Sequence, residues 1–357
     1  MKILIKKIAY FVSPFFLIYL VGVYFYREDK GDLLRLGYIA DIYGYDIKDI
    51  FQNELFRKKN YTLFSELDLK KINKFTALVI GDSFSEQGNY GYKNYLADSN
   101  YISVLHFDRY SNSNPLELLS NILNGDVLDH IQIKYIVLQS VERELVKRGL
   151  DLNKNGQLKT DSLIRIFKAN QEKKKENKSE KETVKIKDHF FSQKTLKIPL
   201  RTFLYLFDED AFSSAVYQVN TKRPLFSTGF KKLLFASNDY NSLQINNNLA
   251  NIILLNNELN VLARKLKKRG IKLIVLPCPD KFDFYYDEIT TKNNYTKPLF
   301  FEHMGLMKKE YIYLDSKKIL TEKAKNVKDV YLFDDTHWSP IASKIIAKEI
   351  RSSMVIQ

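Results

Sequence analysis

Two short segments of the chain combine residue types that can turn a hydroxyl into a nucleophile. Gly81-Asp82-Ser83-Phe84 follows directly on the apolar run Phe75 to Ile80. A small residue there permits a sharp turn, and the turn delivers the serine hydroxyl at the C-terminal edge of a buried strand, where α/β folds hold their sites. Far along the chain, Asp334-Asp335-Thr336-His337-Trp338-Ser339-Pro340 precedes a helical pattern, with Ser339 placed to cap the helix and Pro340 suited to its first turn. If the stretch before that helix is extended, residues two apart share a face. Asp335 then accepts a hydrogen bond from one ring nitrogen of His337, and the other nitrogen faces Ser83. Asp334, three residues before the histidine, is the alternative carboxylate. The chemistry of such a set is acyl transfer through a serine ester: the histidine removes the hydroxyl proton and the serine oxygen takes the acyl group.

Such residues need a rigid sheet to position them. Phe75 to Ile80, Ile102 to Phe107, Lys134 to Gln139 and Ile271 to Leu276 are compact apolar runs that read as buried strands. Leu116 to Leu123 and Leu243 to Arg269 have helical spacing, the second with Lys and Arg in its last turn and Gly270 as its stop. Strand, helix and strand in alternation predict an α/β sandwich with a mainly parallel sheet. Lys168 to Lys187 carries eight Lys and four Glu with almost no apolar residue, and reads as an exposed insertion or a loose solvated helix. Residues 190 to 240, rich in Phe, Leu and Tyr, read as an accessory subdomain or a lid. The expected organisation is a tip and anchor over 1–30, an entry segment over 31–74, and one large domain over 75–350 with an insertion at about 150–240.

The anchor is read from Ile8 to Tyr26, which contains no charged residue. About 19 residues at about 1.5 Å each span roughly 28 Å, close to the hydrocarbon thickness of a bilayer. Lys2, Lys6 and Lys7 precede it, whereas Arg27, Glu28, Asp29 and Lys30 nearly cancel after it. The positive-inside rule then leaves the N-terminus in the cytoplasm and the rest of the chain outside, as a single-pass protein of the cytoplasmic membrane facing the periplasm or cell exterior. No small-x-small cleavage site follows the run, which favours a retained anchor over a signal peptide. Among 357 residues, 56 Lys and Arg against 42 Asp and Glu leave a net charge of +14. Outside the cytoplasm the available counter-charge is an anionic glycan or lipid headgroup, so nucleic acid is not an expected partner. The single cysteine, Cys278, excludes an internal disulfide and a thiolate zinc site. His106, His130, His189 and His303 lack the spacing of a metal site and no phosphate-cradling loop occurs, so neither metal nor cofactor is expected.

A Gly-Asp-Ser block after the first core strand, with Asp and His supplied near the C-terminus, resembles the SGNH hydrolase superfamily, which implies a three-layer α/β sandwich. Asp335-Thr336-His337-Trp338 resembles the motif of the alginate O-acetyltransferase-like branch, whose members act on exported polysaccharides. Val137-Leu138-Gln139-Ser140-Val141-Glu142-Arg143 is similar to its strand ending in Glu-Arg, and Leu276-Pro277-Cys278-Pro279-Asp280-Lys281-Phe282, followed by Tyr285, to its Pro-x-Pro-Asp-Lys stretch. The resemblance spans roughly residues 75–350 apart from the insertion. In the alginate enzymes the Asp-Thr-His-Trp block precedes the serine block; here serine comes first, as in ordinary SGNH hydrolases. The Gly and Asn blocks that give ordinary members their oxyanion donors have no copy here. Ser83 N–H is one donor by position, Arg143 ranks first among side chains, and Gly88, Asn89 and Tyr90 follow from the adjoining loop. Lys281 and Asp280 are further candidates for substrate contact. The resemblance implies an O-acetyltransferase for a cell-envelope or exported polysaccharide, with a multipass membrane-bound O-acyltransferase as the partner that supplies acetyl groups. An esterase using the same residues, and a non-catalytic glycan-binding or assembly protein on the same fold, are the alternatives.

Overall fold

Apolar side chains on both faces of the central strands require a sheet covered on both sides. The computed structural model describes residues 1–25, 31–40, 44–55, 58–68, 71–98, 102–107, 114–167, 169, 193–208 and 215–355. Apart from Ala169, the charge-rich stretch 168–187 lies outside the described residues, as do the flanking charges at 27–30. Six parallel strands form the central sheet: β1 (Thr62–Leu63), β2 (Ala77–Ile80), β3 (Val104–His106), β4 (Tyr135–Val141), β7 (Lys272–Cys278) and β8 (Ile312–Tyr313). Their order is β1-β3-β2-β4-β7-β8, with Ala77 beside Tyr135 and Tyr135 beside Lys272 in register. Two further strands, β5 (Val216–Asn220) and β6 (Lys232–Ala236), pair as an antiparallel hairpin.

Strand residues alternate between two apolar layers. Ala77, Val79, Val137, Ile274 and Leu276 face one core. Leu78, Ile80, Ile136, Leu138 and Val275 face the other. Burying each of the Val, Leu and Ile side chains contributes roughly 1.5–3 kcal/mol, which fixes the strand register because a slip by one residue would invert both faces. The first layer includes Ala342, Ile346 and Ile350 of the C-terminal helix Pro340–Val355, together with Leu233 and Phe235 of the hairpin. The second includes Leu116 and Leu119 of helix Pro115–Asn124 and Ile252, Leu255 and Leu259 of helix Leu249–Lys268. The α/β sandwich with a mainly parallel sheet, read from alternating strands and helices, is therefore the observed architecture.

Local boundaries moved where caps compete with periodicity. The helix expected over 243–269 is interrupted: Asn248 Oδ1 accepts from Ala250 N–H at 2.9 Å, so the long helix starts at Leu249 and Leu243–Asn246 forms a separate turn. Gly270 stops it with φ 72°, a left-handed value that a glycine adopts without strain. At the N-terminus, α1 (Lys2–Phe25) is one continuous helix, long and apolar enough to cross a membrane. After it, α2 (Asp32–Gly37) buries Leu33 and Leu34 in the first apolar layer.

Candidate active site

Strand β2 ends at Ile80, and the chain turns at Gly81 into the short helical turn Ser83–Ser85. A Cβ on Gly81 would lie 2.0 Å from Ser85 Oγ and 2.5 Å from Gln139 Oε1, so only glycine fits this turn. Asp82 is the buried post of the loop. Its carboxylate accepts from Val141 N–H at 2.7 Å, Gln139 Nε2 at 2.8 Å and Arg148 Nη1 at 2.6 Å, and from Phe84 N–H at 3.3 Å. Burial would raise its pKa, but the Arg148 guanidinium and these N–H groups hold it below the ordinary carboxylate range. Ser83, half-buried, is thereby left on a rigid turn. Neither its hydroxyl nor its backbone N–H has a hydrogen-bond partner among the described residues.

The second segment is not the extended strand that sequence spacing assumed. Residues 330–339 form a tight hairpin, in which Leu332 N–H donates to the His337 carbonyl at 3.0 Å and Ser339 N–H to the Val330 carbonyl at 2.9 Å. Asp335 sits at its tip. One oxygen, Oδ1, accepts from both the His337 N–H at 3.0 Å and the ring Nδ1 at 2.5 Å. Asp335 thus meets His337 by a local Asx turn instead of by alternation of faces. Asp334 points elsewhere: its Oδ2 accepts from Gly31 N–H at 3.2 Å. Ser339 Oγ accepts from Ile341 N–H at 3.1 Å and Pro340 opens the helix, as the capping pattern predicts.

Among the described residues His337 Nε2 is buried and has no hydrogen-bond partner, Ser83 Oγ included. The ring packs against Phe84, the residue after Ser83, with centroids 4.7 Å apart, and Phe84 also meets Trp338 edge-on at 5.1 Å. Gln87 locks the two segments together, donating Nε2 to the Trp338 carbonyl at 2.7 Å while Trp338 Nε1 donates to Gln87 Oε1 at 2.9 Å. Burial works to lower the His337 pKa, but the hydrogen bond and charge of Asp335, with Asp32 adding, raise it above the ordinary 6.5. The same contact carries the Asp335 carboxyl well below the usual carboxylate range, against the effect of burial.

Asp32, which sequence reading passed over, belongs to this cluster. Its carboxylate accepts from Thr336 N–H at 2.8 Å and Thr336 Oγ1 at 2.7 Å, and one oxygen lies 3.9 Å from His337 Nδ1. In return Asp32 N–H donates to Asp335 Oδ2 at 3.2 Å and Leu33 N–H to the Asp334 carbonyl at 2.9 Å. No local pattern signals this pairing, because its members are separated by some three hundred positions. Asp32, Asp335 and His337 each offer a ligand atom within 4.8 Å of the others. His337 Nδ1 is engaged by Asp335 Oδ1 at 2.5 Å, a hydrogen-bond contact.

The remaining candidates fall at different distances from the ring. Arg143 donates Nη1 to Asp280 at 2.7 Å and to Asp239 at 3.1 Å, and lies close enough for its charge to oppose protonation of His337. Burial disfavours its charge, but the two carboxylates outweigh that and raise its pKa. Asn89 is exposed, its carbonyl accepting from Asn94 Nδ2 at 2.8 Å. Tyr90 lines a cleft of about 240 Å³ with Asp334, Asp335 and Gly31. Burial and the nearby Asp335 charge push its phenol pKa up.

Lys281, a candidate for substrate contact, does not reach the surface in this structure. It is 0% exposed, and Nζ donates to the carbonyls of Leu332 and Phe333 at 2.7 Å and of Asp335 at 3.2 Å, under the hairpin that carries His337. Burial lowers its pKa to about 7, against the pull of Asp334 and Asp335. Asp280 is likewise taken up, by Arg143. Lys281→Met is expected to lower stability by about 3 kcal/mol and to release the His337 hairpin, since three inward carbonyls lose their donor. Thermal unfolding and amide hydrogen exchange over 330–339 check this, and unchanged exchange there would contradict it.

Residues 231–355 match the family model described as SGNH hydrolase-like domain, acetyltransferase AlgX. The matched stretch holds β7, Lys281 and the whole Asp335-Thr336-His337-Trp338 hairpin; the Ser83 turn lies before it. No curated protein and no solved structure matches the chain.

Proposed function

We propose, from an SGNH hydrolase-like chain of the alginate O-acetyltransferase-like branch, a membrane-anchored O-acetyltransferase that acylates an exported or cell-envelope polysaccharide through Ser83, His337 and Asp335. The observation that carries the reading is the His337 ring, with Nδ1 held by Asp335 and Nε2 buried and unpartnered beside the Ser83 turn. In the first half-reaction Ser83 Oγ attacks the acetyl carbonyl carbon while its proton passes to Nε2. The bond from acetyl to the donor oxygen or sulfur then breaks, and the departing group takes that proton. In the second half a sugar hydroxyl gives its proton to Nε2 and attacks the acetyl ester; the Ser83 Oγ–acetyl bond breaks and Oγ recovers the proton.

Charge on the carbonyl oxygen in both halves calls for donors at the same spot. Ser83 N–H is the first. Arg143 is the second candidate, since Nη1 is committed to its two aspartates while no other nitrogen of its guanidinium has a partner among the described residues. Asn89 and Tyr90 border the turn and suit acceptor contacts. Asp32 acts as a positioning residue, holding Thr336 and adding a second negative charge behind the imidazole.

The N-terminus lies in the cytoplasm and the sheet domain outside it, where an acidic polymer suits the net charge of +14. Acetyl groups made inside must then cross the membrane, which calls for a multipass O-acyltransferase partner. The test supplies the purified chain with a labelled activated acetyl ester and an acidic oligosaccharide. Label on the oligosaccharide is the expected result; labelled acetate alone would make the chain an esterase, and no turnover with glycan still bound would make it a binding protein.

A further inference from the structure

Helix α6 (Gln193–Tyr205) carries two apolar faces where a surface helix needs one. Thr195, Ile198, Thr202 and Tyr205 are buried. Thr202 Oγ1 accepts from Ala40 N–H at 3.3 Å, and Tyr205 donates to Gln218 of the hairpin. The opposite face presents Leu196, Leu200, Phe203, Leu204 and, just past the helix end, Phe207, each between 43% and 76% exposed. Their spacing of three and four residues makes one continuous stripe, with Phe203 and Phe207 in ring contact at 5.0 Å. Lys197 and Arg201 flank it on one side.

The position of α6 supplies what covers this face. α1 packs on the buried face of α6 at Gly22, where a Cβ would come within 1.7 Å of the Thr195 carbonyl oxygen, so the two backbones touch as closely as a glycine allows. Gly22 lies three residues before the end of α1. At about 1.5 Å per residue that is about 4.5 Å short of the point where the spanning helix stops, the depth at which interfacial helices rest.

We infer that α6 is a second membrane contact, lying flat in the outer headgroup boundary with Leu196, Leu200, Phe203, Leu204 and Phe207 among acyl chains. The occupant of this face is lipid, because α6 packs on α1 at Gly22, near the end of the helix that is long and apolar enough to cross a membrane. The helix also ties the domain to the bilayer at a fixed height. Through Thr202–Ala40 and the stacking of Lys197 over the Tyr38 ring at 5.1 Å, it holds the entry segment whose first residues clasp Asp334, Asp335 and Thr336.

The test uses the full chain in phosphatidylglycerol and phosphatidylethanolamine vesicles, with spin labels at Leu200→Cys and Phe203→Cys. The native Cys278 is 0% exposed and stays unlabelled. Collision with a water-soluble nickel chelate is expected to be about tenfold lower at both sites than at Leu306→Cys, with oxygen collision higher; Leu306 is 79% exposed to solvent. A nickel collision rate at 200 and 203 equal to that at 306 overturns the proposal, and would assign the stripe to a protein partner absent from the vesicles. Against the chance that labels disturb the helix, the unmodified chain is treated with a lipid-soluble carbene reagent. Adducts on peptides covering 196–207 support the lipid contact, and adducts confined to α1 overturn it.

Discussion

Ser83→Ala is expected to lower acetyl transfer by about 10⁴-fold or more while leaving the fold intact, since removing the nucleophile of such a set leaves only the catalysis of binding and oxyanion contacts. The prediction separates chemistry from structure because the Ser83 side chain makes no hydrogen bond among the described residues, and its carbonyl, which accepts from Glu86 N–H at 3.0 Å, is kept by alanine. The turn is carried by Gly81, by Asp82 with its four donors, and by Phe84 against His337 and Trp338. An alanine at 83 therefore leaves thermal unfolding close to wild type. Steady-state transfer to an oligosaccharide, read beside a melting curve, is the measurement. Full activity in a normally folded variant would remove the serine-ester mechanism, and with it the assignment of Ser83.

Asp335→Asn should cost about 10³–10⁴-fold in kcat, whereas Asp334→Asn should cost less than about tenfold. An asparagine at 335 can turn its amide toward Nδ1 and donate to it. The imidazole proton then sits on Nε2, which can no longer accept from Ser83. The pH profile gives an independent reading. His337 must be neutral to act as a base, so kcat/KM rises with pH through its raised pKa. Without the Asp335 carboxylate, burial is the main remaining influence, and the ascending limb moves to lower pH. Asp32→Asn removes a weaker charge and should shift the limb in the same direction by less. A limb that stays in place for Asp335→Asn, or losses of equal size at 334 and 335, would contradict the assignment.

Much of this molecule was legible without coordinates because it is local. Phe75 to Ile80 reads as a buried strand from composition alone, since a parallel strand covered on both faces has no polar side to alternate with. The glycine before Asp82, the serine-proline start of the last helix and the uncharged run of α1 likewise depend on neighbours within a few positions. Local reading failed where the same residues take part in distant contacts. The reach of Asp335 to His337 was anticipated from the two-residue spacing, but the backbone there is a hairpin, because Leu332 and Val330 pair back onto His337 and Ser339.

The amino-acid sequence by itself determined the class of the fold, a first helix long and apolar enough to cross a membrane, and the two blocks from which an acyl-transfer site can be built. Each is encoded in periodicity, charge or capping over a single element, and the match over 231–355 agrees with the family read from those blocks. Only the tertiary structure decided which aspartate meets the imidazole, that Lys281 lies beneath the hairpin, that Arg143 is held by Asp239 and Asp280, and that Asp32 closes the cluster from behind. These are choices among chemically equivalent partners. They are made by the way strand ends and the segment after α1 converge on one edge of the sheet, and residues hundreds of positions apart leave no pattern along the chain by which to read them.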